Sequence, residues 1–177
     1  HMARLAASAA RLGWGCDPAA ARAALRAAAP QTAARIRLTL DAAGQIDITS
    51  APLPPAKPLW RVGLGQVRLA SNDPWLTLKS SNRASYDHAR AALPETLDEV
   101  IFQNEKGEVC DGTITTVFFD RGQGMHTPPL SCGLLPGVLR AELSLPEQIL
   151  RAEDLPHVRL WVGNSLRGLI PADFILA

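Results

Sequence analysis

The sequence predicts an α+β chain in two units, and three observations carry that expectation. Two helical stretches open the chain and are followed by a pair of alternating strands; a proline-rich stretch then interrupts all periodicity; beyond it, short apolar runs separated by turn residues recur to the end.

Each element has its own signal. Residues 2–12 are rich in helix formers, and Gly13 stands where a helix would close. Asp17 followed by Pro18 has the chemistry of an N-cap with proline in the first helical position, so a second helix follows. ARIRLTL at 34–40 and QIDITS at 45–50 alternate apolar with polar residues around a DAAG turn, which predicts a half-exposed hairpin. The stretch at 51–58, APLPPAKP, holds four prolines and reads as an extended linker. These features divide the chain into a small N-terminal domain at 1–52, a linker at 53–58 and a larger sheet-rich domain at 59–177. Within the larger domain, 59–70 reads as a strand bent at its glycines, SNDP at 71–74 as a turn, and 83–93 as a helix. DEVIFQN at 98–104, TTVFFD at 115–120 and MHT at 125–127 read as strands, joined by EKGE and RGQG turns. GVLRAEL at 137–143 reads as a short helix, and VRLWVG at 158–163 and the segment from Leu166 return to strands.

Composition narrows the function classes. The 177 residues are 47% hydrophobic and 20% charged, close to the average of soluble globular chains, so disorder and fibrous repeats are excluded. A net charge of +1 gives no broad field for a polyanion, and neither nucleic acid nor a membrane surface is expected as partner. No run approaches the roughly 20 apolar residues of a membrane span. Cys16, Cys110 and Cys132 are odd in number and widely spaced, as expected of reduced thiols in a cytoplasmic protein. His1, His88, His126 and His157 have no shared spacing, so no metal site is expected. Metalloprotease, nucleophile-elbow, Walker and dinucleotide-binding signatures are absent. The Ala- and Arg-rich start has the composition of a transit peptide, which also describes an ordinary amphipathic helix.

Four segments carry chemistry: LKSSNRASYDHAR at 78–90, GEVCDGTITTVFF at 107–119, TPPLSCGLLPGVLR at 127–140 and GNSLRG at 163–168. In order and spacing they resemble the class IV aminotransferase family, the fold-type IV pyridoxal-phosphate enzymes. The opening HMARLAASA fits the same family. The resemblance implies a two-domain α+β fold, pyridoxal 5'-phosphate as cofactor, a small-molecule amine as substrate, and a homodimer. It also implies that Lys79 is the catalytic lysine, holding the cofactor as a Schiff base. The chemistry agrees, because only a lysine amine can make that bond and the other two lysines, Lys57 and Lys106, lie in the linker and in the EKGE turn.

Further residues are implied around the cofactor. Asp111 stands where the family has a glutamate that pairs with the pyridinium nitrogen, and is one methylene shorter; as a bare sequence feature it is also an ordinary turn residue before Gly112. Thr116 stands where many relatives have asparagine. Gly137, Val138 and Leu139 correspond to the phosphate cup, with backbone amides at a helix start, and Arg4 and Ser165 are expected to add side-chain contacts. Family chains begin with further strands ahead of the Arg-Leu helix, so the small domain is expected to be truncated. The LKSSNRASYD and GNSLRG versions of the motifs resemble the lyase-like members, which implies conversion of 4-amino-4-deoxychorismate to 4-aminobenzoate and pyruvate on the way to folate. Two alternatives stand beside it: an aminotransferase of branched-chain or D-amino acids, and a catalytically silent relative.

Overall fold

The computed structural model describes residues 1–176 and divides into two compact units, His1–Ala56 and Lys57–Ala177. The break falls inside the proline-rich stretch.

In the first unit, α1 (Met2–Leu12) ends at Gly13, whose φ of 67° and ψ of 24° place it in the left-handed region that glycine adopts without steric cost. The Asp17 carboxylate accepts from the amides of Ala19 at 2.8 Å and Ala20 at 3.1 Å and so caps α2 (Pro18–Ala27). Strands β1 (Ala34–Leu40) and β2 (Ile46–Pro52) pair antiparallel, with Leu40 opposite Ile46 and Leu38 opposite Ile48. Their turn is tied by Asp41, whose side chain accepts from Ala43 N and Gln45 N.

The second unit is built on a seven-stranded mixed sheet in the order β5-β4-β3-β9-β8-β6-β7. Its strands are β3 (Trp60–Leu69), β4 (Glu99–Asn104), β5 (Val109–Gly112), β6 (Thr116–Asp120), β7 (Met125–His126), β8 (Arg159–Asn164) and β9 (Gly168–Phe174). Strand β3 runs parallel to both neighbours, β4 and β9, and the other pairs are antiparallel. A parallel pair cannot be closed by a tight turn. The connection from β3 to β4 therefore crosses over through a 3-10 turn at Pro74–Thr77 and α3 (Ala84–Ala91). A second long connection, from β7 to β8, carries a 3-10 turn at Leu130–Cys132, α4 (Val138–Leu143) and a 3-10 segment at Ala152–His157.

Successive residues of β4 divide the core between the two faces of the sheet. Ile101 packs with Val62, Val117, Phe119, Leu150 and Val162, whereas Phe102 packs with Leu76, Tyr86, Cys110, Cys132 and Leu134. The linear sequence does not announce β5, a four-residue strand that the EKGE turn hands straight to the next loop. It is wholly buried, so it shows no alternation from which to read it.

Helix α4 lies on β8 through a close approach that requires glycine. A Cβ built on Gly163 would stand 2.8 Å from Leu139 Cδ2 and against the Gly168 carbonyl. Gly163→Ala is therefore expected to lower the unfolding free energy by about 1–3 kcal/mol through overpacking. Denaturant unfolding of parent and variant measures it, and equal midpoints would show that α4 gives way without cost.

Candidate active site

The site is assembled from both crossover connections and from the loop between β5 and β6. Its organiser is Glu99, the first residue of β4, which is 0% exposed. An unpartnered buried carboxylate would cost several kcal/mol, so a charge here stands only on dense hydrogen bonding. Thr113 N at 3.0 Å and the Thr113 hydroxyl donate to Oε1; Ile114 N at 3.1 Å and the Thr115 hydroxyl at 3.0 Å donate to Oε2. Arg90 adds its guanidinium at 3.6 Å. A side chain on Gly112 would stand 2.8 Å from Glu99 Oε2, so the loop folds over the carboxylate only with glycine there. From the outside, Arg83 donates to the Thr113 carbonyl at 2.7 Å and Asn164 Nδ2 to the Ile114 carbonyl at 3.1 Å. The loop is thus fixed to α3 on one side and to the β8–β9 turn on the other.

Asp111 reaches its place through an irregularity in the sheet. Ile101 pairs with Gly112 and Gln103 with Val109, so two residues, Cys110 and Asp111, oppose the single Phe102. Such a bulge re-aims side chains that strict alternation would send to opposite faces. Cys110 packs with Phe102, while Asp111 receives the Tyr86 hydroxyl at 2.8 Å on Oδ1 and Leu135 N at 3.1 Å on Oδ2. The carboxyl is 5% exposed. Burial pushes it up to about 7; the Leu135 and Tyr86 hydrogen bonds pull against that, the charge of Glu99 raises it and that of Lys79 lowers it. The two candidate residues Lys79 and Asp111 are therefore within electrostatic reach of each other. Lys79 follows the Pro74–Thr77 turn and is exposed.

Of the other candidates, Thr116, Gly137, Val138 and Leu139 gather at the start of α4. Thr116 is buried at the start of β6, and a Cβ on Gly137 would stand 2.7 Å from its hydroxyl. Gly137 is the N-cap, and the first intrahelical bond runs from Ala141 N to Gly137 O. Val138 and Leu139 thus hold first-turn amides that helical hydrogen bonding leaves over. Ser165 lies exposed in the β8–β9 turn, where Asn164 Oδ1 accepts from Leu166 N and Arg167 N, each at 3.0 Å. Arg4 belongs to α1 of the first unit, half-buried, and burial lowers its guanidinium below the usual arginine range.

Three residues of this arrangement escape sequence reasoning: Glu99, Tyr86 and Leu135. A signal existed for the first, since an acid heading the run VIF of a buried strand is unusual. Among the described residues no cluster of His, Cys, Asp and Glu could hold a metal ion, and no helix is long and apolar enough to cross a membrane.

The model of the class IV amino-transferases matches residues 1–175, which include all of this arrangement and all of the first unit. The chain belongs to the class IV aminotransferase family. Among solved structures, a chain from Mesorhizobium loti named "Putative amino-acid aminotransferase" is 45% identical, with a TM-score of 0.91 over 99% of this chain and 90% of that one. The 4-amino-4-deoxychorismate lyase of Pseudomonas aeruginosa is 22% identical with a TM-score of 0.80, covering 98% of this chain and 76% of its own, a likeness of fold. A curated protein of Schizosaccharomyces pombe named "Putative aminodeoxychorismate lyase" is 29% identical over 150 residues, 81% of this chain. The chain spans 65% of the length of that relative.

Class IV aminotransferases are pyridoxal-phosphate enzymes. The residues of this class IV chain fit the group. They supply a lysine amine, a buried carboxylate within its electrostatic reach for a cationic ring nitrogen, and a glycine-led helix start whose first-turn amides suit a phosphate. Lys79, Asp111 and the Gly137–Leu139 amides would hold it.

The raised carboxyl of Asp111 has a measurable consequence in cofactor-free protein. Its folded value, about 7, lies above the ordinary 3.8, so the unfolded chain gives up a proton that the folded chain keeps. The resulting contribution to stability is fully present below about pH 4 and lost as pH rises through about 7. Three units correspond to at most about 4 kcal/mol. Denaturant unfolding across this window should show parent stability falling relative to Asp111→Asn; a difference constant with pH would mean an ordinary carboxyl.

Proposed function

We propose that this chain is a pyridoxal-phosphate-dependent lyase that converts 4-amino-4-deoxychorismate to 4-aminobenzoate and pyruvate, a step toward folate, and that it works in the cytoplasm as a homodimer. The observation that carries the enzymatic part is the buried carboxyl of Asp111, held by the Tyr86 hydroxyl and the Leu135 amide on the face of the sheet where Leu76 and Tyr86, from the crossover that bears Lys79, also pack. The choice of lyase is supported by the LKSSNRASYD and GNSLRG segments and by the 29% identity with the Schizosaccharomyces pombe protein.

Pyridoxal phosphate, when bound, supplies a carbonyl that joins to amines and a ring that withdraws electrons from the adjoining carbon. The protein's part is to hold and to move protons. The Lys79 amine would hold the cofactor and, when free, is the base that would take the proton from the substrate carbon bearing nitrogen. The Asp111 carboxylate would pair with the ring nitrogen and favour its protonated form, the form that best accepts an electron pair. The Val138 and Leu139 amides, with the Ser165 hydroxyl, would bind the phosphate, with the Thr116 hydroxyl beside Gly137.

A second reading rests on one observation. The 45% identity with the Mesorhizobium loti chain, over nearly all of both, favours an aminotransferase, which would use the same Lys79 and Asp111 and return the amine to a keto acid. Product analysis separates the two. Purified protein supplied with pyridoxal phosphate and 4-amino-4-deoxychorismate is expected to yield equal amounts of 4-aminobenzoate and pyruvate with no keto-acid acceptor. Amino-group transfer between branched-chain or D-amino acids and keto acids, without 4-aminobenzoate, would replace the lyase by the aminotransferase. In either case, borohydride reduction of the loaded protein should fix the cofactor's mass on the peptide holding Lys79; modification confined to Lys57 or Lys106 would remove Lys79 from the site.

The phosphate cup can be tested separately. Gly137→Ala brings a methyl group within 2.7 Å of the Thr116 hydroxyl and should displace the helix start, weakening cofactor affinity roughly tenfold, whereas Val138→Ala keeps its amide and should cost little. Titration of the variants with pyridoxal phosphate reads the effect. Equal affinity in both would place the phosphate elsewhere.

A further inference from the structure

Asp111 is one methylene shorter than the glutamate implied by the family resemblance, yet neither of its oxygens is left to find its own orientation. Tyr86 donates to Oδ1 at 2.8 Å and the Leu135 amide to Oδ2 at 3.1 Å. The phenol has little freedom itself. It is carried by α3, its ring meets Phe102 edge-on with centroids 4.9 Å apart, and the Arg83 guanidinium stands 5.3 Å from the ring centroid. Tyr86 is 8% exposed and Phe102 0% exposed.

We propose that Tyr86 is a positioning residue for this enzyme: its hydroxyl, acting with the Leu135 amide, fixes the rotamer and the charge of Asp111, and through Asp111 sets how firmly the protein holds the protonated ring nitrogen of pyridoxal phosphate. The inference rests on the assignment of Asp111 to that nitrogen. A carboxylate in an apolar face needs donors to remain ionised, and only the ionised form can pair with a cationic ring. With the hydroxyl removed, Oδ1 is buried without this donor and the neutral acid gains. Tyr86 stays a donor throughout, because burial and then the charge of Asp111 push its hydroxyl far above its ordinary range.

The charged and titratable neighbours act in both directions. Glu99 on β4 raises Asp111, and Lys79, before α3, lowers it. Cys110 on β5 raises Tyr86, while Arg83 at the start of α3 lowers it. Cys110 itself is pushed up by burial and by Asp111, so it is a neutral thiol at this place. The hydroxyl of Tyr86 is thus a neutral group whose bond to Asp111 favours the anion, and its removal should act as a shift in the titration of the site.

The experiment compares pyridoxal-phosphate affinity between roughly pH 6 and 9 for the parent, Tyr86→Phe, Asp111→Asn and the double variant; differences between variants cancel the cofactor's own titrations. Tyr86→Phe is expected to fold, to bind roughly tenfold more weakly near neutral pH, and to need about one further pH unit to reach half of its limiting affinity. In the Asp111→Asn background the same change should add nothing. Phe102→Leu serves as the structural control: it loosens the ring packing, keeps the hydroxyl, and should lower stability with the pH profile in place. A Tyr86→Phe profile equal to that of the parent, a loss that persists beside Asp111→Asn, or an equal shift in Phe102→Leu would each overturn the role of Tyr86. A parent protein that binds no pyridoxal phosphate would instead overturn the reading of the site itself, and with it the proposal.

Discussion

The architecture of the site depends on one buried charge, the carboxylate of Glu99. It lies fully inside the second unit, and almost every hydrogen-bonding direction around it is filled from the loop that joins β5 to β6. That loop delivers Thr116 beside Gly137 and presents the Ile114 carbonyl to Asn164, so the start of α4 and the β8–β9 turn are both tied to it. Because a buried anion is tolerable only with its donors in place, the loop and the strand stand or fall together. Arg83 and Arg90, at the two ends of α3, extend the same arrangement to the crossover that bears Lys79.

The long connections explain why a sheet can host such chemistry. Parallel pairing of β3 with β4 obliges the chain to leave the sheet and return, and the excursion carries Lys79, Arg83 and Tyr86. The excursion from β7 to β8 carries Leu135 and the start of α4. Both place side chains on the face that contains Phe102 and Cys110, Leu76 and Tyr86 from the first and Cys132 and Leu134 from the second. Functional groups from distant stretches of sequence are thereby held by one rigid layer, the usual division between scaffold and loops.

Asp111 shows how local irregularity serves the site. In a regular strand, Cys110 and Asp111 would point to opposite faces, and one of the two would be lost to the layer of Phe102. The bulge keeps both on it, at the cost of a register shift between Ile101 and Gln103. The acid then finds two protein donors, so its orientation is set before any ligand arrives, which is the condition for electrostatic assistance without reorganisation.

Much of this was legible in the sequence alone. Gly13, Asp17 and Pro18 determine the helix boundaries of the first unit because capping is a matter of neighbouring residues, and the alternation at 34–40 and 45–50 determines its hairpin for the same local reason. The motifs around Lys79, Asp111 and GLLPGVLR likewise announce the family, since cofactor chemistry restricts residue types at short spacing. Tertiary structure alone decided that β5 exists, that Asp111 turns toward Tyr86, and that Glu99 rather than any motif residue organises the loop. Strand β5 is buried on both faces and has no period to read; a bulge is a relation between two strands; and a buried acid is distinguished from a solvated one only by what the rest of the chain places around it.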